Sequence, residues 1–134
     1  MSNFASVEAE QAVLGSMLID SGCVRRVAAI LRESDFSVAL NQDLYRVIVT
    51  MDRDGQPIDG LTVCAEALRQ SLAEEKTLRK YLAQLMEITP TAANVAEYAE
   101  IVAGTARRRE LKTALEDGLA ALADQAPEDE VLTQ

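Results

Sequence analysis

Acid–base chemistry needs paired ionisable groups, and the pairs this chain offers for it are Asp52 with Asp54 and Glu74 with Glu75. Such carboxylates act as general acid and base only when their surroundings push their protonation apart. All four fall at expected helix ends or turns, where acids are solvated, and no nucleophile motif or lysine-rich cleft accompanies them. The 134 residues include no histidine, which removes imidazole catalysis and the commonest zinc ligand. Cys23 and Cys64 lack the C-x-x-C spacing and read as ordinary core thiols. Neither G-x-x-x-x-G-K-S/T nor G-x-G-x-x-G occurs, and the glycines are scattered singly, so no phosphate cradle is expected. These residues are therefore expected to hold no catalytic group, no metal and no cofactor.

Charge narrows the partners. A net charge of −9 and a pI near 4.5 oppose a direct grip on phosphates, which also sets aside a helix-turn-helix reader of DNA. Cations gather in one place, Arg107, Arg108 and Arg109 with Lys112 beyond them. Successive helical residues point about 100° apart, so this run fans around a helix instead of forming a stripe. It is a candidate contact for nucleic acid or an acidic partner, set against the plainer reading of a solvated face. From Thr113 onward the chain carries six acids and no base.

The chain is long enough for one domain with a real core that needs no disulfide. The opening MSNFASVEAE has two acids and no basic region. No apolar run approaches the roughly 18 residues of a membrane span, so a cytoplasmic protein without membrane contact is expected.

The elements that must position these residues follow a helical period almost throughout, and the fold class is all-α. A first helix is expected after the cap Ser6, running to Ile19 with Ala9, Val13, Leu14, Met17 and Leu18 inward, Glu8 and Glu10 at its positive end, and Gly15 permitting close packing. Ser21 can cap a short second helix carrying Val24, Val27, Ala28, Ile30 and Leu31, with Phe36 pinning the loop after it. Asn41 and Asp43 are expected to open the third, whose inward set is Leu44, Tyr45, Val47, Ile48 and Met51. Gly55 should end it in the left-handed conformation. Caps between Asp59 and Thr62 precede a fourth helix with Val63, Ala67, Leu68 and Leu72. A fifth carries Leu78, Tyr81, Leu82, Leu85 and Met86 and closes before Thr89 and Pro90. Asn94, with Glu97 as a capping-box partner, should begin the longest helix, reaching about Asp124, with a kink or break allowed at Gly104.

Leu111, Leu115, Leu119 and Leu122 make a narrow apolar stripe on that last helix, with Gly118 on the same side. Such a stripe needs a covering helix, from this chain or from another copy. Pro127 to Gln134 read either as the opening of one more helix, cut short inside a helical hairpin, or as a frayed polar terminus. The expected organisation is a globular helical subdomain at 1–94, then a long helix and the start of a truncated hairpin at 95–134. In all, this is a compact bundle of about six helices followed by the first arm of a helical hairpin.

Several segments carry a more specific likeness. Glu8 to Asp20, EAEQAVLGSMLID, resembles the opening motif of the amino-terminal domain of DnaB-type replicative DNA helicases of bacteria and phages. Asp35-Phe36, Gly55-Gln56-Pro57-Ile58-Asp59 followed by Thr62, and Thr89 to Asn94 followed by Tyr98-Ala99 and Ile101-Val102 are similar to later motifs of that family, in the same order. The likeness spans about residues 6 to 111. Asn41 stands where many relatives have histidine, Ser37 where tyrosine is usual, and Ala73 to Thr77 lacks their paired glycines.

The resemblance implies a non-catalytic collar domain that pairs through a helical hairpin within a hexameric ring, recruits primase and contacts the helicase loader during DNA replication. DNA, ATP and magnesium would be engaged only by the parent protein, through a motor domain beyond Gln134. The alternative is a stand-alone phage or plasmid interaction protein that mimics the collar to modulate primase or loading. For self-association the candidates are Leu111, Leu115, Gly118, Leu119 and Leu122, and for the primase surface the exposed face around Arg107, Arg108, Arg109 and Lys112.

Overall fold

The computed structural model describes residues 6–124, and the expected start of a second hairpin arm lies outside these described residues. Within them the chain is all-α: α1 (Val7–Ile19), α2 (Val24–Ala28), α3 (Ala39–Arg53), α4 (Gly60–Arg69), α5 (Glu75–Glu87) and α6 (Val95–Ala123). Single 3₁₀ turns at Ser21–Cys23 and Glu33–Asp35 flank α2. No helix among the described residues is long and apolar enough to cross a membrane.

α1 is the central element, packed on α6, α5 and α3. Ser6 caps it by accepting a hydrogen bond from the Ala9 amide at 3.3 Å. Val13, Leu14 and Met17 are fully buried on its inner side. Gly15 is required by contact: a Cβ there would stand 2.4 Å from the Leu85 carbonyl oxygen and 2.2 Å from Thr89 Oγ1. The bare backbone lets the end of α5 lie directly on α1.

Local signals explain most boundaries. Gly55, at φ +72, closes α3 in the left-handed conformation, and the Gln56 amide returns to the Met51 carbonyl. Asp59 and Thr62 form a reciprocal capping box on α4. The turn after α4 uses Ser71 at φ +57, and the Leu72 amide returns to Ala67.

Four local expectations are corrected. The cap after α1 is Asp20, which accepts from the Gly22 amide, so Ser21 starts a 3₁₀ turn and α2 begins only at Val24, with Ala28 exposed. α3 starts at Ala39, ahead of Asn41, whose side chain is buried instead of capping. Asn94 makes no side-chain cap hydrogen bond, and nearby Thr91 Oγ1 accepts from the Ala93 amide. α6 runs unbroken through Gly104, because the other twenty-eight residues of this 29-residue helix carry its ladder past one weak position.

Candidate functional site

Two places hold groups that local helix formation does not explain. The first is buried. Glu10 stands in the first turn of α1 as expected, yet it is only 1% exposed. Its carboxylate reaches the start of α3, accepting the Ser37 amide at 2.9 Å, the Ser37 hydroxyl at 2.5 Å and Asn41 Nδ2 at 3.0 Å. Asn41 Oδ1 in turn accepts the Tyr81 hydroxyl from α5. The negative charge is thus held by three donors and by the N-terminal end of another helix. Burial pushes the Tyr81 phenol above its ordinary value.

Another phenol, Tyr45, is fully inside the core, where it donates to the Leu31 carbonyl at 2.8 Å and stacks obliquely on Phe36 at 4.8 Å. Burial, helped by the nearby Asp35 charge, drives it up to about 12. These networks tie helices together. Among the described residues no group of three or more histidine, cysteine, aspartate and glutamate side chains could hold a metal ion. Cys23 and Cys64 are buried free thiols, and burial raises the Cys23 pKa further.

The second place is the far half of α6. Its first half is core: Val95, Ala99, Val102 and Ala103 are 1% exposed or less. Beyond Ala106 the apolar side changes. Leu111, Leu115, Leu119 and Leu122 are 60, 61, 66 and 56% exposed. On a helix advancing about 100° per residue, this stripe lies about 160° around from the core-facing set. One helix therefore carries two apolar faces pointing opposite ways, one already covered and one facing water. Four exposed leucines in line are costly in water unless another surface meets them. Gly118 lies on the same side, with open space where a Cβ would stand.

The cation run divides. Arg109 is half-buried and turns back to donate to the Asp35 carbonyl at 2.8 Å, anchoring α6 to the loop before α3. Arg32 supports the same junction with an ion pair to Glu110 at 3.1 Å. Lys112 pairs with Glu116 at 2.8 Å along the helix. Arg107 and Arg108 are exposed, Arg107 donating to the Ala103 carbonyl at 3.4 Å. The expected four-residue patch is thus an exposed pair, an exposed lysine paired along the helix and a structural arginine. Contact with the distant Asp35 loop sets Arg109 apart from Arg107 and Arg108, and its spacing in the sequence carries no sign of that. Glu10 likewise looked like an ordinary first-turn acid.

The fold, a helical body with a long last helix running past it, is that of a helicase amino-terminal domain. It superposes on the N-terminal domain of DnaB helicase from Mycobacterium tuberculosis with a TM-score of 0.88 and 34% identity, covering 96% of this chain and 92% of that one. A likeness in fold extends to the corresponding Helicobacter pylori domain, described together with its interactions with primase: TM-score 0.71, 19% identity, 87% and 89% coverage. A model of the DnaB-like helicase N terminal domain family matches residues 2–104, and the chain belongs to that family.

Among full-length relatives, the replicative DNA helicase DnaB of Geobacillus stearothermophilus is 39% identical over 97 residues, 72% of this chain and 21% of the relative. That of Mycobacterium leprae is 40% identical over 103 residues, 77% of this chain and 17% of the relative. The chain spans about a fifth of the length of the relatives it matches.

Proposed function

We propose that this domain is the non-catalytic collar of a replicative DNA helicase, joining copies of itself through the far half of α6 and presenting a surface to primase and the loader in the cytoplasm. The carrying observation is the line of exposed leucines on a helix whose opposite side is already committed to the core. Burying four leucines contributes on the order of 6 to 12 kcal/mol gross, before the entropy of association is subtracted. Association costs of about 4 to 15 kcal/mol are of the same size, so the contact between isolated domains is reversible and concentration-dependent.

Family membership supports the placement in a helicase, and the primase studied with the Helicobacter pylori domain supports the choice of partner. ATP and magnesium belong to a motor domain, and this domain takes neither. Sedimentation equilibrium over a wide concentration range tests the reading. A mass above 14.6 kDa that rises with concentration is expected, and a mass of 14.6 kDa throughout would overturn it.

A further inference from the structure

We propose that the groove between α4 and α5 is a docking site for one amphipathic helix of another protein, acidic in its first turns and basic in its last. No residue of α6 lines this groove, so the site does not depend on the pairing of copies.

α4 and α5 lie side by side in opposite directions, since Gly60 at the start of α4 meets Met86 near the end of α5. Between them runs an open groove of about 350 Å³ floored by Leu61, Cys64, Leu82, Ala83 and Met86. Leu61 is 73% exposed, the most exposed large apolar side chain among the described residues. It sits in the first turn of α4, inside a capping box made by Asp59 and Thr62 that needs nothing from it. A large apolar group held in water at the lip of an apolar groove marks a contact surface. A Cβ at Gly60 would come 2.7 Å from Met86 Cε, so the glycine leaves room for the Met86 methyl against α4. The unbranched thioether can repack around an incoming side chain. From Arg79 to Met86 the groove follows two turns of α5, about 11 Å, which suits the anchors of a helix laid lengthwise.

Charge defines the occupant. Lys76, Arg79, Lys80 and Ala83 follow the three-and-four spacing of one helix face, and Arg79 and Ala83 line the groove itself. Arg79 is paired with Glu75 at 2.7 Å, whereas Lys76 and Lys80 are exposed and enter no ion pair among the described residues. At the other end stand Asp59 and the exposed Glu87. The groove is thus basic at one end and acidic at the other. Its complement carries acids where it crosses Lys76 and Lys80, and a base where it reaches Asp59 and Glu87. Acids in the first turn and bases in the last are also what a helix dipole favours. The docked helix therefore starts over Lys76 and Lys80 and runs beside α5 in the same direction.

A fluorescein-labelled peptide with leucines at three-and-four spacing, glutamates in its first half and lysines in its second, serves as the probe in fluorescence anisotropy. Saturable binding to the 134-residue chain is expected. Leu61→Asp should weaken it at least tenfold, and Lys76→Glu/Lys80→Glu should do the same mainly at low salt. Circular dichroism checks that each variant keeps its helices. Leu115→Asp/Leu119→Asp should leave the affinity unchanged. No saturable binding, or binding lost in Leu115→Asp/Leu119→Asp and kept in Leu61→Asp, would overturn the proposal. So would a fall in the sedimentation mass of the chain on Leu61→Asp substitution, which would make the groove a contact between copies.

Discussion

Glu10 Oε1 accepts a hydrogen bond from Asn41 Nδ2 at 3.0 Å, joining the first turn of α1 to the first turn of α3 inside the core. A buried carboxylate without a cation beside it would be costly, and here the Ser37 amide and hydroxyl and the dipole of α3 offset that cost. Removing the acceptor strands the donors that were aimed at it. Glu10→Ala is expected to lower stability by about 3 kcal/mol, and Glu10→Gln, which keeps shape and one acceptor, by roughly 1 to 2 kcal/mol. Urea unfolding followed by circular dichroism gives the ranking; equal midpoints for wild type and Glu10→Ala would show that the network contributes nothing.

Two glycines within helices should respond in opposite directions to alanine. At Gly104 there is space, so the gain in helix propensity of up to about 1 kcal/mol should appear as a raised melting temperature in dilute, monomeric protein. At Gly15 the same gain is outweighed by collision with the Leu85 carbonyl, a backbone atom that cannot swing aside, and a net loss of about 2 kcal/mol is expected. Thermal unfolding of the two variants side by side checks the contrast.

The Tyr45 phenol stays protonated in the folded chain up to about pH 12, against 10 for the free group. Its contribution to stability is therefore complete below pH 10 and lost as pH rises from 10 to 12, because the unfolded chain ionises first. The full difference is about 3 kcal/mol, and burial of Tyr81 acts in the same direction. Unfolding free energy should fall steeply above about pH 10. Tyr45→Phe should make that slope shallower, while costing about 1 kcal/mol at neutral pH for the lost bond to Leu31.

If Arg107 and Arg108 lie on the rim of the primase surface, reversing both to glutamate should weaken primase binding mainly at low salt, since rim charges act over a screened distance. Calorimetric titration of primase at two salt concentrations checks this. Unchanged affinity at both would remove the arginines from that surface.

Much of the fold was legible because apolar spacing alone decides which side of a helix is inward. Val13, Leu14 and Met17, and Leu44, Val47 and Ile48, are buried as their periods require. What was not legible depended on partners distant in sequence. Nothing beside Glu10 says that its carboxylate will reach Ser37 and Asn41, and nothing beside Arg109 says that it, and not Arg108, will face Asp35. Caps were the weakest readings, because Asp20, Ser21, Asn41 and Asn94 are all good capping residues and tertiary contacts choose among them. The leucine stripe was visible as a pattern. That it points away from the core, opposite Val102 and Ala103, required the path of α6 across α1.

The most direct measurement is sedimentation equilibrium of Leu115→Asp/Leu119→Asp beside the unsubstituted chain, with circular dichroism of both. Two charges on an exposed helical face should leave helicity unchanged while abolishing association, so that the mass falls to 14.6 kDa at every concentration. A variant that keeps its helices and still associates as the parent does would show that copies meet elsewhere, and the role assigned to α6 would be wrong.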